Sequence, residues 1–348
     1  MMQNNSVQYK GIDIVKFIMA LFVVILHTHP FAGINEILNI FTADVMGRVA
    51  VPFFFVATGF LLEKQIVTGK RASGEILKHY LFKVLKLYCI WTVVYLPFII
   101  YDKFIDSDGS FLYGLFTMVR DFFFVGSYAH LWYLPATVVG VVVVWFFRRY
   151  LGNGKTAVLL FLLFLAGLLT QSYFGLLAGV LDADGILWKL MKITKKIMVT
   201  CRNGVFFGGL FIYMGTRIAG RNRKTENWKP ALGFIVSLLL FAVEVMYLPK
   251  IEFVREKDMY LMLVPAAFFL MELAVRIEIK RETAFFRKMS MNIYFIHLIF
   301  KSIYRMFIGE YNENGIWLFL FTLTGTLISA YLLYRVEELL RKRKDSKC

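Results

Sequence analysis

The sequence predicts an all-α fold, a polytopic transmembrane helical bundle of about ten spans with both termini cytoplasmic. Three observations carry that prediction. The 348 residues are 59% hydrophobic and 17% aromatic with a mean hydropathy of +0.63, well above a soluble globular domain. Apolar runs of membrane length, roughly 20 residues, recur from one end of the chain to the other. Between them, basic residues collect in alternate loops.

The runs fall at residues 12–29, 48–63, 78–101, 131–147, 156–177, 203–219, 229–248, 259–277, 289–308 and 316–338. The first has no small-residue cleavage site and holds the best site candidates, so it is read as a retained span rather than a removable signal peptide. The stretch 111–126 is apolar but sets Arg120 beside Asp121, and reads as an interfacial or re-entrant helix. With a cytoplasmic N-terminus, the inner loops are 64–78 (Lys64, Lys70, Arg71, Lys78), 148–155 (Arg148, Arg149, Lys155), 217–228 (Arg217, Arg221, Arg223, Lys224), 276–288 (Arg276, Lys280, Arg281, Arg287, Lys288) and the RKRK tail at 341–344. All five are basic, as the positive-inside rule requires. The outer loops hold the acidic DKFIDSDG stretch at 102–109 and the NEN turn near residue 312. Segment 182–202 departs from the pattern with four lysines and Arg202, and its WKLMKITKKIMV spacing predicts an amphipathic helix on the interface. No repeat, flexible linker or appended soluble domain interrupts the chain, so one membrane domain over residues 1–348 is expected.

The formal charge of +16 would point to nucleic acid in a soluble protein. Here topology and anionic membrane lipid account for it, and no nucleic-acid partner is expected. Cys89, Cys201 and Cys348 share no CxxC spacing, which argues against a disulfide framework or a metal knuckle.

An ionisable group inside a span costs on the order of 2.5–3.5 kcal/mol, so it usually faces the bundle interior or a water-filled path. The first span carries Lys16 and, eleven residues and about 16 Å further on, His27. They cannot serve one small site, but they can serve the two ends of a channel. His27 is suited to proton transfer near neutral pH; its plainer reading is a helix-end or loop contact. Lys16 has Asp13 at i−3, so it also reads as an ordinary snorkelling lysine. His29 is at i+2 from His27, on a different helix face, which argues against an HxH metal site if the helix continues, and no metal is expected. In KHYLFKVLKLYCIW, Lys83 and Lys86 share a face above Lys78 and His79; they suit phosphate binding at the inner mouth, or form a basic flank. Further candidates are Arg48, His130 and Trp132 in HLWYLP, Arg202 and Asn203 in CRNGVFFGG, and His297 in NIYFIHLIF, where a core histidine bonded to Asn292 or a hydroxyl is the alternative.

Taken in order, these residues resemble the acyltransferase-3 superfamily, ten-span membrane proteins that O-acylate cell-surface sugars and related acceptors. The family's first span carries a basic residue, ten intervening residues and a histidine, matched here by Lys16 and His27. Most members have arginine at the first position; lysine keeps the charge but loses the bidentate fork. Two basic residues three apart in the third span are matched by Lys83 and Lys86. RVAVPFFFVATGFLL, HLWYLPA and IYFIH also resemble family positions and place Arg48, Phe53, Gly59, Trp132 and His297. Within the superfamily, CRNGVFFGG and KLYCIW resemble the membrane domains of vancomycin-resistance serine racemases. Those domains are associated with serine uptake and precede a pyridoxal-phosphate (PLP) racemase; no PLP module is expected within these 348 residues.

The resemblance implies a membrane O-acyltransferase of the bacterial cytoplasmic membrane, with acetyl-CoA or another acyl-CoA as donor and a hydroxyl of the cell envelope as acceptor. Lys16, Lys83 and Lys86 would meet the donor's phosphates, His27 would act as general base or transient acyl carrier, and Arg48, Arg202 and Asn203 would stabilise the oxyanion. The alternative it implies is a serine or small-molecule uptake module. A racemase or a glycan-assembly protein is the corresponding partner.

Overall fold

In the computed structural model, which describes residues 9–69, 71–106, 109–178, 185, 189, 199–221, 226, 228–248, 258–308 and 315–345, every regular element is helical. In chain order these are α1 (Lys10–Thr28), α2 (Glu36–Asn39), a π-helical segment (Ile40–Gly47) and α3 (Arg48–Thr68). Then come α4 (Ser73–Ile100) with a π-helical end (Tyr101–Ile105), α5 (Phe111–Phe124), α6 (Tyr133–Thr170) and α7 (Phe174–Ala178). A third π-helical segment (Gly204–Gly208) leads into α8 (Gly209–Ala219), followed by α9 (Trp228–Tyr247), α10 (Leu263–Arg276), α11 (Ala284–Ile308) and α12 (Ile316–Asp345).

Six of the helical stretches are long and apolar enough to cross a membrane: Lys10–Thr28, Glu36–Thr68, Ser73–Ile105, Tyr133–Thr170, Trp228–Tyr247 and Ile316–Arg343. The sequence places about ten spans, and the difference has identifiable sources. The expected spans 131–147 and 156–177 form the single element α6, whose 38 residues would reach about 57 Å, nearly twice the hydrocarbon core. It is broken at Gly152, where φ is 71° and ψ is 176°, so the inner loop expected at 148–155 is a sharp break between two helical arms. The expected spans 203–219, 259–277 and 289–308 correspond to shorter helices or, in α11, to one carrying Arg287, Lys288, Lys301 and Arg305. The amphipathic helix expected at 182–202 lies almost wholly outside the described residues, as does Cys348.

The helices fall into two compact units. The first comprises Met1–Ala50, Lys224–Val236 and Phe269–Cys348, with α11 packed against both α1 and α12. Lipid tails are as apolar as leucine, so close contact and hydrogen bonds, rather than escape from water, must hold such helices together. Both are present. A Cβ at Gly11 would lie 2.2 Å from the Ala274 carbonyl, so only glycine permits that backbone approach. Asn292 Nδ2 donates to the Ala330 carbonyl at 3.1 Å, tying α11 to α12.

The second unit comprises Val51–Arg223 and Ser237–Phe268 and is organised around α6. Glycines again set the contacts. A Cβ at Gly204 would meet the Ala136 carbonyl at 2.4 Å, and one at Gly59 the Ile212 carbonyl at 1.9 Å. Phe55, Phe164, Phe207 and Phe211, all under 3% exposed, fill the space between α3, α6 and α8. The break in α6 is tied down by Arg148, which donates to both oxygens of Glu63 at 2.6 and 2.9 Å, and by Tyr213, whose hydroxyl donates to the Asn153 carbonyl. Helix α5 forms where an interfacial helix is expected. Asp121 pairs with Arg120 and with Lys103 at 2.7 and 2.6 Å, which offsets the cost of charges in an apolar segment.

Candidate functional site

In the first unit, α1 carries Lys16 and His27. Its N-terminal end is tied to the turn before α11. Asp13, 7% exposed, accepts from Thr283 Oγ1 at 2.8 Å and faces Arg287 Nη1 at 3.7 Å, while Lys10 bonds Glu282 and the Lys280 carbonyl. Asp13 therefore turns to residues some 270 positions away, and Lys16 has no ion-pair partner among the described residues. A half-buried cation so placed is electrostatically costly unless an anion visits it.

At the other end of α1, His27 lies ring to ring against His297 of α11, with centroids 5.2 Å apart and planes at 38°. His297 is fully buried, and its Nδ1 is 2.8 Å from the Tyr294 carbonyl and 3.2 Å from the Ile293 carbonyl. Carbonyls only accept, so Nδ1 carries the proton and Nε2 is the lone-pair nitrogen of the neutral ring. These bonds run to backbone carbonyls of α11 rather than to Asn292, which is engaged with Ala330.

His29 is not on the helix. The chain ends α1 at Thr28 and sets His29 as its cap in the left-handed region, φ 43° and ψ 61°, with its N–H donating to the Ile25 carbonyl. Its Nδ1 lies 3.3 Å from Asn39 Nδ2 and so accepts. Burial pushes the His29 imidazole below its ordinary value, against a smaller opposing pull from Asp44. Arg48 follows the π-helical segment, which sets it one turn from Asp44; Nε and Nη2 both bond Asp44 Oδ1, at 3.2 and 3.0 Å.

In the second unit, the turn before α6 carries His130 and Trp132. Gly126, at φ 102°, allows this turn; a Cβ there would stand 2.4 Å from the Trp132 nitrogen. His130 is 2% exposed and meets Tyr95 edge-on, ring centres 4.9 Å apart. Trp132 brings the face of its indole under Arg202, whose guanidinium carbon is 4.8 Å from the ring centre. Arg202 Nη1 donates to Asp258 at 3.0 Å, and its buried Nε has no acceptor among the described residues. Asn203 caps the π-helical segment: its Oδ1 accepts from the Val205 and Phe206 N–H groups at 2.9 and 3.0 Å. Lys83 and Lys86 are exposed on the flank of α4 opposite Leu77, Val84, Tyr88 and Tyr95, and neither makes an ion pair among the described residues.

The structure thus brings His27 to His297, and Trp132 to Arg202 and Asn203. It gives Arg48, Arg202 and Asn203, the expected oxyanion donors, partners of their own. Sequence reasoning missed Asp44, Asp258 and Glu244. Asp44 stands at i−4 from Arg48, a spacing that flags the pair once the segment is read as helical. Glu244 is an acidic residue inside the apolar run 229–248, which is itself a signal of a buried role. It accepts from Tyr173 and from the Leu261 and Met262 N–H groups, at 2.7, 2.7 and 2.9 Å, and so anchors the segment that carries Asp258. Asp258 offered no local signal, because its partner is 56 residues away.

A family model described as an acyltransferase domain, Acyl_transf_3, matches residues 9–335. Among curated relatives, an amino-acid racemase of Enterococcus faecalis is 27% identical over 283 residues, covering 81% of this chain and 38% of the relative. A second amino-acid racemase of the same organism is 28% identical over 340 residues, 96% of this chain and 47% of the relative. A serine/alanine racemase of Enterococcus gallinarum is 29% identical over 289 residues, 83% and 40%. The chain therefore spans less than half the length of these relatives. No solved structure matches.

Proposed function

The chain belongs to the acyltransferase-3 family, and from that premise we propose that it is a membrane O-acyltransferase. It moves an acyl group, expected to be acetyl, from a cytoplasmic acyl-CoA to a hydroxyl of a cell-surface polysaccharide or another extracytoplasmic acceptor. The observation that carries this reading is the make-up of α1: Lys16 toward one end, with no ion-pair partner among the described residues, and His27 against a tautomerically fixed imidazole at the other. His27 takes the proton of the acceptor hydroxyl as its oxygen attacks the thioester carbonyl. The new C–O bond forms, the C–S bond breaks, and the proton passes from His27 to the departing coenzyme A thiolate. Lys83 and Lys86 are assigned to the donor's phosphates.

Two measurements test this. Purified protein given acetyl-CoA and envelope glycan should release free coenzyme A and acetylate the glycan, and a deletion strain should lose acetyl groups from its surface polymers. Replacing Lys83 and Lys86 together by Ala should weaken coenzyme A binding by more than roughly tenfold, since charge-assisted bonds contribute about 1.5–3 kcal/mol each, whereas Arg at both should preserve it. Unchanged binding in the folded double-Ala variant would return both lysines to a basic flank.

A second reading is uptake of serine or a similar small molecule. It is favoured by the racemase relatives and by the Arg202–Asp258 pair on Trp132, whose opposite charges match an amino acid's carboxylate and ammonium. In that case a racemase is the functional partner; for the enzyme, it is the glycan-assembly machinery. Accumulation of labelled serine in proteoliposomes, with no acyl transfer under any condition, would replace the first reading by the second.

A further inference from the structure

Helices α4 and α6 run antiparallel. Tyr95, late in α4, stacks on Tyr128 just before α6 begins, while Arg148, midway along α6, reaches Glu63 a short loop before α4 starts. Between them lies a groove enclosing about 430 Å³. Its α4 wall is the stripe Leu77, Lys78, Leu81 and Leu85, and its α6 wall is Val142 and Trp145. Phe82, Leu85, Val142 and Trp145 are 68%, 43%, 46% and 39% exposed, an apolar surface unusual in water and ordinary against lipid.

Among the lining residues, charge is confined to one end. Lys78 lines the groove, and Arg149, one turn beyond Trp145, sits 5.8 Å over the indole. The groove extends from Gly74 to Leu85, eleven residues or about 16 Å, which is half of the roughly 30 Å hydrocarbon core and so the depth of one leaflet. A slot one leaflet deep, apolar along its length, with an indole and two cations at its headgroup end, has the shape and charge of one kind of molecule.

We propose that the groove between α4 and α6 is a binding site for an anionic phospholipid of the leaflet on the Lys78 side, its acyl chain along Leu77, Leu81 and Leu85 and its phosphate between Lys78 and Arg149. Trp145 marks the interface, where indole rings belong, and presents its face to Arg149, holding that guanidinium at headgroup level. This site does not depend on what reaction the protein performs.

The protein is reconstituted in phosphatidylcholine nanodiscs containing either phosphatidylglycerol or phosphatidylcholine with brominated acyl chains, and quenching of Trp145 is isolated by subtracting the Trp145→Phe variant. Brominated phosphatidylglycerol should quench with a relative association constant about fivefold or more above phosphatidylcholine, from roughly that gain per cation. Lys78→Gln with Arg149→Gln should bring the ratio close to one, Lys78→Arg with Arg149→Lys should keep it, and Val142→Phe, which narrows the slot, should lower quenching by both lipids. Should the double neutralisation fail to fold, each single neutralisation must still lower the ratio. Equal quenching by the two lipids in the unaltered protein, or a preference that survives neutralisation, would reduce the groove to ordinary lipid contact. Quenching relieved by palmitoyl-CoA but not by unbrominated phosphatidylglycerol would assign it to the donor's chain and overturn the proposal.

Discussion

The two histidines at the end of α1 differ in backbone before they differ in chemistry. His27 is the last-turn helical residue whose ring meets His297, and His29 is the left-handed cap. His27→Ala should therefore reduce acyl transfer by roughly 10²- to 10⁴-fold, the usual cost of a lost general base, while insertion and thermal stability are retained. Near-full transfer by the folded variant would remove His27 from the chemistry. His29 is a structural residue with a pH signature. Burial depresses its native pKa below the unfolded value, so the unfolded chain binds more protons as acid is added, and the stability it contributes is present above about pH 6.5 and lost as pH falls. His29→Asn, which tolerates the left-handed cap but does not titrate, should flatten the fall in thermal midpoint between about pH 7.5 and pH 5.5. An identical fall in both proteins would exclude His29 as a source. Of these residues, Lys16 and His27 were legible from spacing. The diversion of Asp13 to Thr283 and Arg287 was not, since no local pattern announces a partner 270 residues away.

At the scale of elements, hydropathy located the helices and missed their irregularities. The α6 break falls where the sequence reads RRYLGNGK, a turn signal between apolar runs, and so was legible. The π-helical segments before Arg48 and after Asn203 were not, because an extra residue per turn depends on which carbonyls neighbouring helices leave to be satisfied. At Asn203, expected as an oxyanion donor, Oδ1 caps two backbone N–H groups and Nδ2 donates to the Thr200 carbonyl at 3.3 Å. Asn203→Ala should then cost about 1 kcal/mol of stability, and Asn203→Asp, which keeps a capping oxygen but loses the amide donors, should retain both stability and activity. A stable Asn203→Asp protein without activity would restore the oxyanion role. Thermal unfolding and acyl-transfer rates of the same two variants decide it.

For the molecule as a whole, orientation follows from charge rather than from any single helix. Arg148, Arg149 and Lys155 flank the α6 break, and Lys64, Arg71 and Lys78 flank the short turn between α3 and α4. The Arg148–Glu63 bond places the two basic groups on the same side of the second unit. The stretch after α4 is different in kind, with Asp102 and Asp106 beyond the apolar run. A helix the length of α4, 28 residues or about 42 Å, carries the chain across the full hydrocarbon core between these regions. Because lysine and arginine are retained on the cytoplasmic side, the α6 break should be inside and the end of α4 outside. Single cysteines test this at exposed positions. Gly154 has open space around its Cβ position and Asp106 is exposed, so neither substitution disturbs packing. With Cys89, Cys201 and Cys348 replaced by Ser, Asp106→Cys should react with a membrane-impermeant maleimide in intact cells, and Gly154→Cys should react only after the membrane is opened. The reverse pattern would place the basic break outside, and with it would invert the side from which Lys83 and Lys86 meet the donor.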